Sequence, residues 1–232
     1  MKLFSTLAIG LLGIVNTANA QFADVSGFNP HADAIAYVQA EGIVAGYADG
    51  TFKPNDTINR AELVKIIVES SGRPANCETS FSYIDVPVGA WYLDYLDNAR
   101  CLGVVGGYPD NTFKPGNAVL MTEAAKIISK GLNLPVAESN GAWFESFINY
   151  LASKNAIPLD INSIDSELTR GQMAEIIFRL KTGNTSFQSH TLQSLMLGQS
   201  NSLDAQVDLD FEAELNALLE MLSEEGLMEI DQ

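Results

Sequence analysis

Gly46-Tyr47-Ala48-Asp49-Gly50-Thr51-Phe52-Lys53-Pro54 returns as Gly107-Tyr108-Pro109-Asp110-Asn111-Thr112-Phe113-Lys114-Pro115. The offset is a constant 61 residues and holds without a gap from Asp24/Asp85 to Lys65/Lys126. Self-similarity at such a period marks one supersecondary unit used more than once. Around the quoted stretch each copy reads alike. An Asp-Val pair opens it (Asp24-Val25, Asp85-Val86). Apolar residues then recur at helical spacing, Ala34, Ile35 and Val38 in one copy and Tyr95, Leu96 and Ala99 in the other. Gly42 and Gly103 stand where a glycine ends a helix. After the loop, whose Asp-Gly and Pro-Asp pairs are turn dipeptides, a second helix turns Leu63, Ile66 and Ile67, or Ala124, Ile127 and Ile128, inward. The unit is helix, structured loop, helix.

A third, worn copy follows. Trp143 to Ile157 matches Trp91 to Val104 with one extra residue, and Leu168-Thr169-Arg170-Gly171-Gln172 matches Ile58-Asn59-Arg60-Ala61-Glu62. Between them the loop is reduced to Pro158-Leu159-Asp160-Ile161. The whole pattern, from Phe22 to Lys181, resembles the S-layer homology (SLH) family: Phe-x-Asp-Val, a Trp, the Gly-Tyr-x-Asp-Gly-Thr-Phe-x-Pro loop and an Arg-Ala-Glu helix start. The resemblance implies a mainly α fold, with three motifs in pseudo-threefold arrangement around a central helical bundle. It also implies grooves between adjacent motifs that hold cell-wall glycan, often a pyruvylated secondary polymer. The expected organisation is a signal peptide at 1–20, motifs at 21–72, 73–134 and 135–181, a polar linker at 182–202 and an acidic C-terminal amphipathic helix at 203–232.

Lys2, the apolar run Leu7 to Val15 and Ala18-Asn19-Ala20 read as a secretory signal cut before Gln21. The run is shorter than the ~20 apolar residues a membrane span needs. An exported chain with two cysteines is expected to pair them, Cys77 with Cys101; a loop of this size stabilises by roughly 3 kcal/mol on the chain-entropy model. The net charge of −16 argues against nucleic acid and anionic lipid as partners. His31 and His190 read as solvated surface residues. Two Cys and two His far apart give no metal-ligand spacing, and Asp49-Gly50 lacks the ligand series of a calcium loop. No cofactor is expected, and no nucleophile-and-base arrangement points to an enzyme.

The candidate glycan site is built on Arg60, Gly46, Tyr47, Asp49 and Gly50, with Gly107, Tyr108, Trp91, Trp143 and Arg170 as further wall and contact residues. Asn59-Arg60-Ala61-Glu62 is a capping box with a cation at the first helical position, where the helix dipole disfavours it. Free amides at that helix start and the guanidinium together suit a carboxylate. Alternatively Arg60 pairs with Asp49 or Asp56 and only fixes the loop. Gly46 and Gly107 let a sugar approach the backbone. Tyr47, Tyr108, Trp91 and Trp143 offer flat faces to a pyranose or, alternatively, anchor the loops, while Phe52 and Phe113 read as core. The second repeat has Met121 and Leu120 in place of Arg60 and Asn59, and the first has Pro30 in place of the Trp. Leu203, Val207, Phe211, Leu215, Leu218, Leu219 and Leu222 give the acidic tail an apolar face. That face meets either the chain's own three-motif body or an envelope protein. The expected function is non-covalent attachment at the bacterial cell surface; the alternative is an envelope scaffold that recruits a partner through the tail.

Overall fold

The computed structural model describes residues 22–73, 82–137 and 140–198. Six helices follow in chain order: α1 (Ala32–Ala40), α2 (Arg60–Ser71), α3 (Leu93–Cys101), α4 (Met121–Gly131), α5 (Glu145–Ser153) and α6 (Arg170–Thr182). A shorter helical run lies at 192–198. The expected mainly α fold is present, and extended backbone among the described residues is confined to isolated bridges. The expected signal segment, Cys77 and the acidic tail lie outside the described residues. The pairing of Cys77 with Cys101 therefore stays an expectation.

Helix starts explain how the repeats join. Ile58, Val119 and Leu168 precede α2, α4 and α6, and their backbones form a closed cycle. Ile58 N–H donates to Leu168 O (2.9 Å), Leu168 N–H to Val119 O (2.8 Å) and Val119 N–H to Ile58 O (3.1 Å). One hydrogen bond thus links each pair of repeats, the pattern a threefold arrangement would produce. All three side chains are fully buried, so the cycle is shielded from competing water. The bridges Thr57–Thr169, Asn59–Ala118 and Leu120–Glu167 flank it.

Packing does not follow the sequence unit. Each first helix lies on the second helix of the preceding repeat: α3 on α2, α5 on α4 and, closing the ring, α1 on α6. Helices α2 and α4 also pack on each other. Gly131 permits that approach, since a Cβ there would collide with Ile67. At the far end the dipoles of α2 and α4 meet cations from neighbours. Lys181 Nζ donates to Ser70 O (2.5 Å) and Arg73 to Lys130 O (3.3 Å).

The repeated loop is held from outside itself. The Asp24 carboxylate accepts from the backbone N–H of Phe52 (2.8 Å) and Lys53 (2.7 Å), and Asp85 does the same for Phe113 and Lys114. Lys53 and Lys114 sit at positive φ (60° and 58°), a conformation costly for a lysine that the paired carboxylate bonds enforce. Phe52 and Phe113 are fully buried, as the sequence reading has it.

Candidate functional site

Two surface clefts share one design. The first, of about 450 Å³, is lined by Ile43 to Tyr47, by Asn59, Glu62, Lys65 and Ile66, by Trp91 and by Arg170. The second, of about 410 Å³, is lined by Val104 to Tyr108, by Glu123, Lys126 and Ile127, by Trp143 and by Arg60. The loop and second helix come from one repeat, the tryptophan from the next and the arginine from the one before. The packing of α3 on α2 and of α5 on α4 carries each tryptophan to its place.

This corrects the expected partnership of Arg60. It does not line a groove with Gly46–Gly50; that loop faces Arg170, and Arg60 faces the Gly107–Tyr108 loop. Arg60 pairs with neither Asp49 nor Asp56 in the described contacts. Its Nε donates to Phe113 O (3.0 Å) and its Nη1 to Glu123 (3.3 Å), with the guanidinium 5.1 Å from the Tyr108 ring centre. Arg170 repeats the geometry, with Nε to Phe52 O (2.7 Å), Nη1 3.5 Å from Glu62, and the guanidinium 4.6 Å from the Tyr47 ring. Both guanidiniums are buried. Arg170 is thus the equal of Arg60, because it uses the intact loop of the first repeat and not the degraded loop before it. An arginine at a helix start is explained by its reach into the adjoining repeat.

The amides at these helix starts are already bonded. Arg60 N–H donates to Asn117 O (3.0 Å), Ala61 N–H to Pro115 O (3.1 Å) and Glu62 N–H to the Asn59 side chain (2.9 Å). The first amides of α6 bond Asp56 O, Pro54 O and the Thr169 hydroxyl in the same way. The expected free-amide anion site is therefore replaced by inter-repeat hydrogen bonds. The capping boxes of Asn59/Glu62 and Thr169/Gln172 are present. Leu120 has no side-chain acceptor, and only the return bond from its N–H to Glu123 remains (3.3 Å).

The loop residues divide by role. A Cβ on Gly46 would collide with the Phe22 ring, and one on Gly107 with the Tyr83 ring, so both glycines admit an aromatic from their own repeat. Asp49 accepts from Thr51 N–H (3.0 Å) and Oγ1 (2.6 Å), bonds that hold its carboxyl below the usual range. It shapes the turn; neither it nor Gly50 lines the cleft. Tyr47 donates its hydroxyl proton to Glu62 (2.6 Å) and carries Lys53 Nζ 4.4 Å from its ring centre. Burial, followed by that bond, pushes its phenol up to about 12. Both tyrosine rings are thus engaged by the chain's own cations.

What stays open to solvent is narrower. Trp91 and Trp143 are 58% and 53% exposed. Lys65 Nζ lies 5.9 Å from the Trp91 ring centre, and Lys126 Nζ 5.2 Å from that of Trp143. Sequence reading missed Lys65 and Lys126; their signal was the same residue at the same place in two repeats. Each cleft holds two cations against one glutamate, a local positive excess on a chain of net charge −16.

Residues 21–64 and 85–120 match the family model described as S-layer homology domain. Two segments of the chain thus carry the S-layer homology domain. Its third repeat lies outside the matched segments. Cell surface glycoprotein 1 of Acetivibrio thermocellus is 32% identical over 135 residues, 53% of this chain and 6% of that protein. The middle cell wall protein of Brevibacillus brevis is 30% identical over 143 residues, 60% of this chain and 13% of that protein. The cellulosome-anchoring protein of Acetivibrio thermocellus is 31% identical over 143 residues, 58% and 31% respectively. The chain thus spans under a third of each of these relatives. The family match and these relatives place it among secreted proteins at the cell-wall surface.

The histidines correct the sequence reading. His31 is buried, with Nε2 3.0 Å from Asp160 and Nδ1 3.6 Å from Glu175. His190 is half-buried, bonded to the Ser194 hydroxyl (2.9 Å) and Leu159 O (3.1 Å). No helix among the described residues is long and apolar enough to cross a membrane.

Proposed function

We propose that this chain fastens itself to a cell-wall glycan through its two tryptophan-walled clefts. The carrying observation is that each cleft gathers side chains from three successive repeats. A glycan ring lies on Trp91 or Trp143, and its anionic group meets Lys65 or Lys126. Arg60 and Arg170 hold the cleft walls and add positive potential from beneath. A carboxylate-bearing sugar, such as a pyruvyl ketal, matches this pairing of flat apolar face and cation. Relatives named for cell wall, cell surface and anchoring support attachment as the purpose. The test is co-sedimentation of the full chain with purified wall before and after removal of its secondary polymer. Binding that requires the polymer is expected; equal retention on stripped wall overturns the reading.

A second reading has the acidic tail recruit an envelope protein. A relative named for anchoring the cellulosome supports it. Truncation after Gly198 separates the two: wall retention is expected to persist, and partner capture to vanish.

A further inference from the structure

The third inter-repeat junction, where the last repeat meets the first, is built from different residues. By the repeat alignment its tryptophan position is Pro30, its lysine position is Glu175, its glutamate position is Gln172 and its arginine position is Met121. Met121 is fully buried and offers no charge to a surface. The position beside the tryptophan, Tyr92 and Phe144 elsewhere, is His31. The His31 ring lies over α6 at Gly171, where a Cβ would stand 2.6 Å from it; the other repeats carry Ala61 and Thr122 there.

We propose that this third junction is a charge clasp and not a glycan site, so that the chain is bivalent for glycan and His31 locks the ring of repeats shut. The valency half rests on the glycan reading; the clasp half does not. The clasp runs through five side chains. His31, just before α1, faces Asp160 from the shortened loop and Glu175 from α6. Gln172 Nε2 donates to the Asp160 backbone O (3.0 Å) and side chain (3.2 Å). Glu175 also accepts from Arg179 Nε (2.7 Å). Arg179 Nη1 in turn donates to Asn155 O (3.1 Å) and Gln188 O (2.8 Å), and its guanidinium lies 4.4 Å from the Phe187 ring. The network therefore ties the first repeat to the last and to the segment after α6. Tyr37 and Phe178, with ring centres 5.3 Å apart, back it with an apolar contact between α1 and α6.

Two carboxylates against one histidine and one arginine leave no positive excess for an anionic sugar, and no exposed tryptophan stands there to stack on it. Burial pulls the His31 pKa down, but the hydrogen bond to Asp160 and the neighbouring carboxylate of Glu175 outweigh it and raise it to about 9. A raised histidine value makes the clasp complete below the ordinary pKa of 6.5 and progressively lost as pH climbs through about 9.

Two measurements on the full chain decide the proposal. The first is calorimetric titration with glycan fragments released enzymatically from purified wall. Two sites per chain are expected, and three overturn the closed third junction. No binding at all counts against the glycan reading, and the clasp is then judged by the second measurement alone. That measurement is a melting cycle of His31→Gln, Asp160→Asn and the double variant at pH 7 and pH 10. Each single change is expected to lower Tm by roughly 5–10 °C at pH 7, the double variant little further, with the differences shrinking at pH 10. Additive losses, or losses equal at both pH values, overturn the clasp. Asp160→Asn keeps the test usable if His31→Gln does not fold, since the Asp160 side chain is half-exposed.

Discussion

The junction between the second and third repeats and the junction between the third and first are built on the same backbone plan with opposite chemistry. At one, Trp143 stands half in solvent beside Lys126, with buried Arg60 beneath. At the other, His31 is buried between Asp160 and Glu175, and Met121 fills the arginine's place as core. Both junctions carry the same kind of inter-repeat backbone bond, Leu168 N–H to Val119 O at the first and Ile58 N–H to Leu168 O at the second. The difference teaches that repeat geometry and cleft chemistry are separable. Backbone hydrogen bonds and buried aliphatics keep the ring, whereas a few surface substitutions decide whether a junction is open to a ligand or sealed by charge.

The strongest challenge to this comparison is Met121→Ala. As a fully buried methionine its truncation is expected to cost about 2–5 kcal/mol, read as a marked drop in Tm, with wall retention of the folded fraction unchanged. Lost retention at unchanged Tm would make the third junction a binding surface. Next comes the double variant Trp91→Ala with Trp143→Ala, expected to weaken wall binding by about 100-fold, roughly tenfold for each cleft wall, with little change in Tm. Wild-type affinity would remove the tryptophans from the site. Lys126→Glu copies the charge of Glu175 into an open cleft. Roughly tenfold weaker binding and a flatter salt dependence are expected in co-sedimentation. Binding that tightens would reverse the assigned sign of the ligand. The smallest effect is Leu120→Asn, which restores the cap that Asn59 gives α2. A gain of about 0.5–1 kcal/mol, or a Tm rise of roughly 2–4 °C, is expected without change in binding. A fall in Tm would show that Leu120 does more by packing than a cap would.

Much of the fold was legible because it rests on local patterning. The 61-residue repeat, the apolar spacing of Leu63, Ile66 and Ile67, and the Asn59/Glu62 and Thr169/Gln172 caps all act between residues close in sequence. The burial of Phe52 and Phe113 followed from their place between turn residues. The tryptophans were legible as exposed walls only by resemblance.

The chain's own letters determined the number of repeats, the helix starts and the inventory of aromatic and charged groups, since propensity, capping and periodicity are read over one or two turns. Tertiary structure alone decided which groups meet. Arg170 faces Tyr47 across more than a hundred residues, Arg60 faces Tyr108 in the next repeat, and His31 reaches Asp160 in the last repeat. The physical reason is that each first helix buries its apolar face on the preceding repeat's second helix, so every cleft is assembled between units and none is contained in one. The same closure consumes the helix-start amides that a lone helix would offer to an anion.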